Sequence, residues 1–181
     1  MGPEPTSTTR RQWLVATTGV GLTLTLPGCG FRLRQAPVFA FRSVAATLSD
    51  GSGMQRELRQ AMEAVGLQVM NPPTPQMATQ AQPQPDVVLT VLTDQRERSV
   101  VGSSAAGQVR EFQLRVRFKF RLYTLAGKEL IPDSEVLLQR DISYSETIAL
   151  SKADEEAELY RDMQTDVVQQ TLRRLAAVKS L

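Results

Sequence analysis

The chain has 181 residues, a formal net charge of only +2, one cysteine and no histidine. That length, with 41% hydrophobic residues, fits one domain with a real core, and the near-neutral charge gives no reason to expect a nucleic acid partner. Without histidine the commonest general base is missing, histidine-dependent triads are excluded, and a zinc or copper centre has too few ligands; no metal, cofactor or catalytic residue is expected.

Arg10 and Arg11 precede an uncharged, mostly apolar or small run from Gln12 to Leu26. The run is too short to span a bilayer comfortably and fits the apolar region of an export signal. Gly19, Gly21 and several threonines suit a buried core helix poorly. Thr9 to Leu14 also resembles a twin-arginine export motif. Leu26-Pro27-Gly28-Cys29 then resembles a bacterial lipobox. In such signals the cysteine thiol receives a diacylglycerol, the chain is cut before it and the new amine is acylated, commonly with palmitate. Two or more acyl chains give stable membrane attachment. Pro27 departs from the usual small residue, and Gly30 stands where an aspartate would favour inner-membrane retention. The expectation is a removed signal over 1–28, a single mature domain over 29–181, and a lipid anchor at Cys29 facing the periplasm from the outer membrane.

Val38 to Leu48 reads as a first strand. Ser52 and Gln55 form an S-x-x-Q capping box, and Met54, Leu58, Ala61, Met62 and Val65 follow at helical spacing, with Gly66 as the stop. This predicts a helix over 53–65, and Leu67 to Met70 as a short strand. Residues 71–85 carry five prolines in fifteen positions and form a loop. Asp86 to Arg96 is a strand with Val87, Leu89 and Val91 on one face and Val88, Thr90 and Leu92 on the other. Small residues from Ser99 to Gln108 connect it to the clearest element, Arg110 to Tyr123. There Phe112, Leu114, Val116, Phe118, Phe120 and Leu122 alternate with Glu111, Gln113, Arg115, Arg117, Lys119 and Arg121. Such alternation means one face on a core and one in a polar medium. Leu130 to Tyr144 returns, Pro132 marking a bulge or an edge. A last helix over 153–178 carries Leu159, Met163, Val167, Thr171 and Leu175 as a stripe, thickened by Val168 and Leu172. Asp154, Glu155, Glu156 and Glu158 crowd its start and Arg173, Arg174 and Lys179 its end, as the helix dipole favours.

The order β-α-β-β-β-α predicts an α+β domain: two helices on one face of a roughly four-stranded, largely antiparallel sheet. The other face carries the basic strand of Arg115, Arg117, Lys119 and Arg121, either a solvated surface or one for an anionic ligand or a polar partner. No phosphate-binding glycine loop is present.

Gly30-Phe31-Arg32-Leu33-Arg34 directly after the lipobox, this element order, and Ala149-Leu150-Ser151-Lys152 before an acidic helix start together resemble the LptE family of lipopolysaccharide-assembly lipoproteins. The resemblance implies a non-enzymatic outer-membrane protein. It would sit in the lumen of the LptD β-barrel as plug and assembly partner, bind lipopolysaccharide and help deliver it to the outer leaflet. It implicates a lysine at Lys152 and a basic residue in the hairpin after the second long strand. That hairpin has no basic residue inside it, so the flanking Arg98 and Arg110 are the substitutes. The alternatives are an accessory lipoprotein of a periplasmic phospholipid transport system and, least favoured, a lipid-anchored hydrolase using carboxylates.

Overall fold

A computed structural model describes residues 37–72, 83–145 and 149–181, the backbone alone at 149 and 150. Cys29, the export segment, the post-cysteine block and most of the proline-rich loop lie outside the described residues.

The elements are β1 (Ser43–Ala46), α1 (Gly53–Ala64), β2 (Gln68–Met70), β3 (Val87–Ser103), β4 (Val109–Thr124), β5 (Glu129–Ser143) and α2 (Ala149–Ala176). They form an α+β fold with one five-stranded sheet in the order β2-β1-β3-β4-β5. The β3-β4-β5 meander is antiparallel. β1 pairs in parallel with both β2 and β3, and α1 is the crossover that carries the chain back over the sheet between β1 and β2. The sheet is therefore mixed and has one strand more than the alternation pattern implied. The short Leu67–Met70 segment gains strand geometry only by pairing beside β1.

β1 is four residues long rather than eleven. Asp86 Oδ2 accepts the backbone N–H groups of Arg42 at 2.8 Å and Ser43 at 3.0 Å, while Ser43 Oγ accepts from Asp86 N at 2.9 Å. This clamp fixes where β1 meets β3.

α1 begins as expected, Ser52 Oγ accepting from Gln55 N at 3.3 Å. The return arm of the box is rerouted: Ser52 N already donates to Ser49 O at 3.2 Å, so Gln55 Oε1 takes Ser49 N at 2.7 Å instead. Gly66, at φ +89°, ends the helix in the left-handed region.

Core packing follows the predicted faces. Leu114, Val116, Phe118, Phe120 and Leu122 of β4 are fully buried under both helices. Met54, Leu58 and Met62 of α1 and Met163, Val167, Val168, Thr171, Leu172 and Leu175 of α2 meet them. Buried Thr171 returns its hydroxyl to Val167 O at 2.9 Å, which satisfies the donor within the helix.

α2 starts four residues earlier than the acidic cluster suggested, so its first turn holds no acidic residue. Of the charges assigned to the dipole, only Arg173 and Arg174 lie in a terminal turn.

β3 runs to Ser103, through half of what the small residues suggested was a connection, because it stays paired with β4 almost to the turn. Its register with β4 shifts at Leu92: Val91 opposes Phe120, but Thr93 opposes Lys119. One extra residue reverses which side chains face the core. Before the bulge Val87, Leu89 and Val91 share the helix side with β4's buried row. After it, Asp94, Arg96 and Arg98 do, opposite Phe118, Val116 and Leu114. A similar shift in β5 falls at Pro132 and Asp133, on a sheet edge, as the proline suggested.

Candidate functional site

The bulge delivers Arg98 to the helix side of the sheet, where α2 begins. Its guanidinium carbon lies 3.6 Å from the centre of the Phe112 ring, a close cation–π contact. Phe112 meets Tyr144 edge-on, with ring centres 5.0 Å apart. Ile142, opposite Phe112 on β5, completes an apolar floor. From α2, Lys152 Nζ reaches Ser143 Oγ at 3.3 Å. These side chains, with Ala153 and Glu156, line a cleft of about 170 Å³.

Two cations line this cleft, each paired with a carboxylate. Arg98 Nε pairs with Glu156 Oε2 at 3.4 Å, and Lys152 Nζ with Glu155 Oε2 at 2.6 Å. The Lys152 side chain is only 16% exposed, whereas that of Glu155 is 50% exposed. The lysine is thus held in place while its partner faces water. Arg98, Ala153 and Glu156 also line an adjoining groove with Arg96, Ala157, Tyr160 and Arg161. In that groove the Tyr160 hydroxyl donates to Glu97 O at 2.7 Å. Burial, with the Glu156 charge adding to it, holds its phenol above its ordinary value of 10.0, so it remains a neutral donor at physiological pH.

Of the three residues singled out for ligand binding, the fold brings Arg98 and Lys152 together. Arg110 does not line the cleft. It sits at the last of three register shifts between β3 and β4, by their turn, and donates to Gln108 Oε1 at 3.3 Å. Phe112, Tyr144, Ile142 and Glu156 escaped the sequence reading as site residues. The first three look like ordinary members of an alternating row, and Glu156 like a dipole charge.

The basic strand lies on the opposite face of the sheet and is charge-balanced. Arg115 meets Glu97 at 3.4 Å, Arg117 meets Glu135 at 3.2 Å and Lys119 meets Asp133 at 3.0 Å. Arg121 stacks near Tyr123, 5.9 Å from its ring centre. Leu92 and Leu137 are about two-fifths exposed. The face is thus mixed in sign and partly apolar rather than a plain anion-binding surface.

Among the described residues no group of three or more acidic or cysteine side chains is placed to hold a metal. No described helix is long and apolar enough to cross a membrane.

The LptE family model, described as "Lipopolysaccharide-assembly", matches residues 38–175. The solution structure of uncharacterized lipoprotein B from Nitrosomonas europaea is 31% identical, with a TM-score of 0.66. The match covers 82% of this chain and 91% of that one. Rare lipoprotein B from Shewanella oneidensis is 23% identical over 75% of this chain and 94% of its own, with a TM-score of 0.59. A minor lipoprotein from Acinetobacter baumannii shares the fold at 19% identity over 77% of this chain and 94% of its own, with a TM-score of 0.57. No curated protein sequence matches the chain at a significant level.

Proposed function

The chain belongs to the LptE lipopolysaccharide-assembly family, and from that premise we propose that it is a non-enzymatic, lipid-anchored outer-membrane protein that binds lipopolysaccharide. In this role it supports and plugs an LptD-like barrel and helps pass lipopolysaccharide to the outer leaflet. The carrying observation is the meeting of Arg98 and Lys152 over an aromatic floor, although 54 positions separate them in sequence. Two cations beside Phe112 and Tyr144 suit a ligand with phosphates on an amphipathic sugar. Arginine offers a planar fork to phosphate and lysine a point charge.

The cleft and the mixed-charge face lie on opposite sides of the sheet. The protein can therefore hold a ligand with one side while Arg115, Arg117, Lys119 and Arg121 face a polar barrel lumen with the other. The anchor is Cys29, after removal of residues 1–28.

The test separates these two surfaces. R98Q/K152Q loses two charge-assisted contacts, each worth about 1.5–3 kcal/mol, so binding of purified lipopolysaccharide weakens by at least about tenfold. Capture of the barrel from solubilised membranes persists. R115Q/R117Q/K119Q leaves lipopolysaccharide binding intact and weakens capture. Unchanged lipopolysaccharide binding by R98Q/K152Q, or a wild-type protein that captures no barrel, refutes the reading.

A further inference from the structure

The cleft's cations are already neutralised, and the way they are neutralised carries an inference that rests on the lipopolysaccharide-binding reading. We propose that Glu156, together with Glu155, is an exchangeable counter-anion. A phosphate monoester on a sugar headgroup displaces these carboxylates from Arg98 and Lys152, and they set the affinity and the phosphate selectivity of the cleft.

Three observations lead there. Arg98 is pinned by its stack on Phe112, at 3.6 Å, but its ion pair with Glu156 is long at 3.4 Å and runs through Nε. Good charge-assisted N–H···O contacts lie near 2.7–2.9 Å. The arginine is positioned by the ring, and the carboxylate is a loose occupant of its charge. Lys152 differs in that its pair with Glu155 is short, at 2.6 Å, but its own side chain is mostly buried and touches Ser143, while Glu155 is half exposed, so water can take up the carboxylate that a ligand displaces. For Glu156, 21% exposed, the adjoining groove supplies other cations, since Arg96 and Arg161 line it with Tyr160.

Charge and size agree with this exchange. Two carboxylates carry −2, and a phosphate monoester carries about −1.5 to −2 at neutral pH, so the pair of cations sees nearly the same charge before and after. The cleft's volume of about 170 Å³ is below the roughly 300 Å³ at which drug-sized ligand pockets begin. It has room for a phosphate and part of one sugar ring, with acyl chains left outside.

The test uses the full-length lipidated protein in detergent. Its probes are bisphosphorylated lipid A, enzymatically dephosphorylated lipid A, glucosamine 1-phosphate and inorganic phosphate. E155Q/E156Q binds bisphosphorylated lipid A about five- to tenfold more tightly than wild type, with a steeper loss of affinity as salt rises. Its affinity for the dephosphorylated form is unchanged, and glucosamine 1-phosphate competes better against it. The single variants E155Q and E156Q each show part of the gain, and thermal melts check that all three fold. An affinity equal to or below wild type, or a gain as large for dephosphorylated lipid A, overturns the counter-anion role. A gain for inorganic phosphate as large as for lipid A overturns the assignment to a sugar-phosphate headgroup. If R98Q/K152Q weakens lipid A binding while the glutamine variants change nothing, only this inference fails. If R98Q/K152Q also binds like wild type, the lipopolysaccharide reading fails with it.

Discussion

Asp94 is the carboxylate that ties α1 to β3, and its removal tests the packing logic directly. Its Oδ2 accepts from Ser52 Oγ and, at 2.9 Å, from Gln55 Nε2. Gln55 is 9% exposed, so its amide has little access to water if the acceptor goes. Hydrogen bonds to a charged group contribute about 1.5–3 kcal/mol each, and a stranded buried donor costs about 1–3 kcal/mol. Partial exposure of Asp94 lowers these figures, which leaves about 2–3 kcal/mol for D94A. D94N keeps one amide oxygen as acceptor and costs about half as much. In a domain of this size 1 kcal/mol moves Tm by roughly 2–4 °C, so D94A melts about 5–10 °C lower. Urea denaturation followed by circular dichroism measures it, with the midpoint shifting at constant slope. A cycle of D94A with S52A isolates the pair and gives a coupling of about 1 kcal/mol or more. A D94A protein within about 0.5 kcal/mol of wild type, or additive single changes, refutes the claim that this carboxylate fastens α1 to the sheet.

The clamp at Asp86 makes part of the stability acid-labile. The backbone N–H of Arg42, the largest influence, and the groups of Ser43 outweigh desolvation and hold the carboxyl below its ordinary 3.8. A depressed folded value means the contribution is complete above the unfolded value and is lost as pH falls through the lower folded one. The stability gap between wild type and D86N is therefore widest near neutrality and narrows below about pH 4, as urea melts at pH 7 and pH 3 would show. Phe118 is fully buried at the centre of β4, and F118A costs about 3–5 kcal/mol; chemical denaturation that registers less than about 2 kcal/mol contradicts its place in the core. On the proposed anchoring, C29S leaves the thermal melt of the domain unchanged and blocks acylation together with the cut that depends on it, so mass analysis of the amino terminus finds no acyl chains and residues 1–28 still attached.

Most of the fold could be read from periodicity. The row from Leu114 to Leu122 is buried as its alternation requires, with Phe112 half-buried at its end, and the α2 stripe around Met163 and Val167 packs where 3.6-residue spacing puts it. Local patterns of this kind depend only on neighbours in sequence. What escaped depended on partners far away. The short strand after α1 was legible, but not that it pairs in parallel outside β1 at the sheet edge. β1 shrank because Asp86, more than forty positions later, decides where pairing begins. The charges on the open face looked like a run of one sign along β4, since their counter-ions Glu97, Asp133 and Glu135 arrive from the neighbouring strands.

Arg98 shows most sharply why the cleft was hidden. Simple alternation from Val87, Leu89 and Val91 gives every even-numbered residue of β3 to the open face, Arg96 and Arg98 included. On that face Arg98 could not meet Lys152, since the sheet itself would stand between them. The extra residue at Leu92 reverses the parity, and Leu92 is left about two-fifths exposed as its consequence. The same step turns three charged residues toward the helix layer. Asp94 is met by the cap of α1, Arg96 by Gln164 and Arg98 by Glu156, each at a place where α1 or α2 supplies a polar partner. The bulge thus does two things with one residue. It ends the apolar half of β3, and it turns the remaining half so that its cations line the mouth of the helix–sheet layer. Were Leu92 paired in register, opposite Lys119, Gln95, Glu97 and Ser99 would lie against the helix layer and Arg98 on the far face. On this geometry the proposed ligand site is a product of strand register as much as of residue identity.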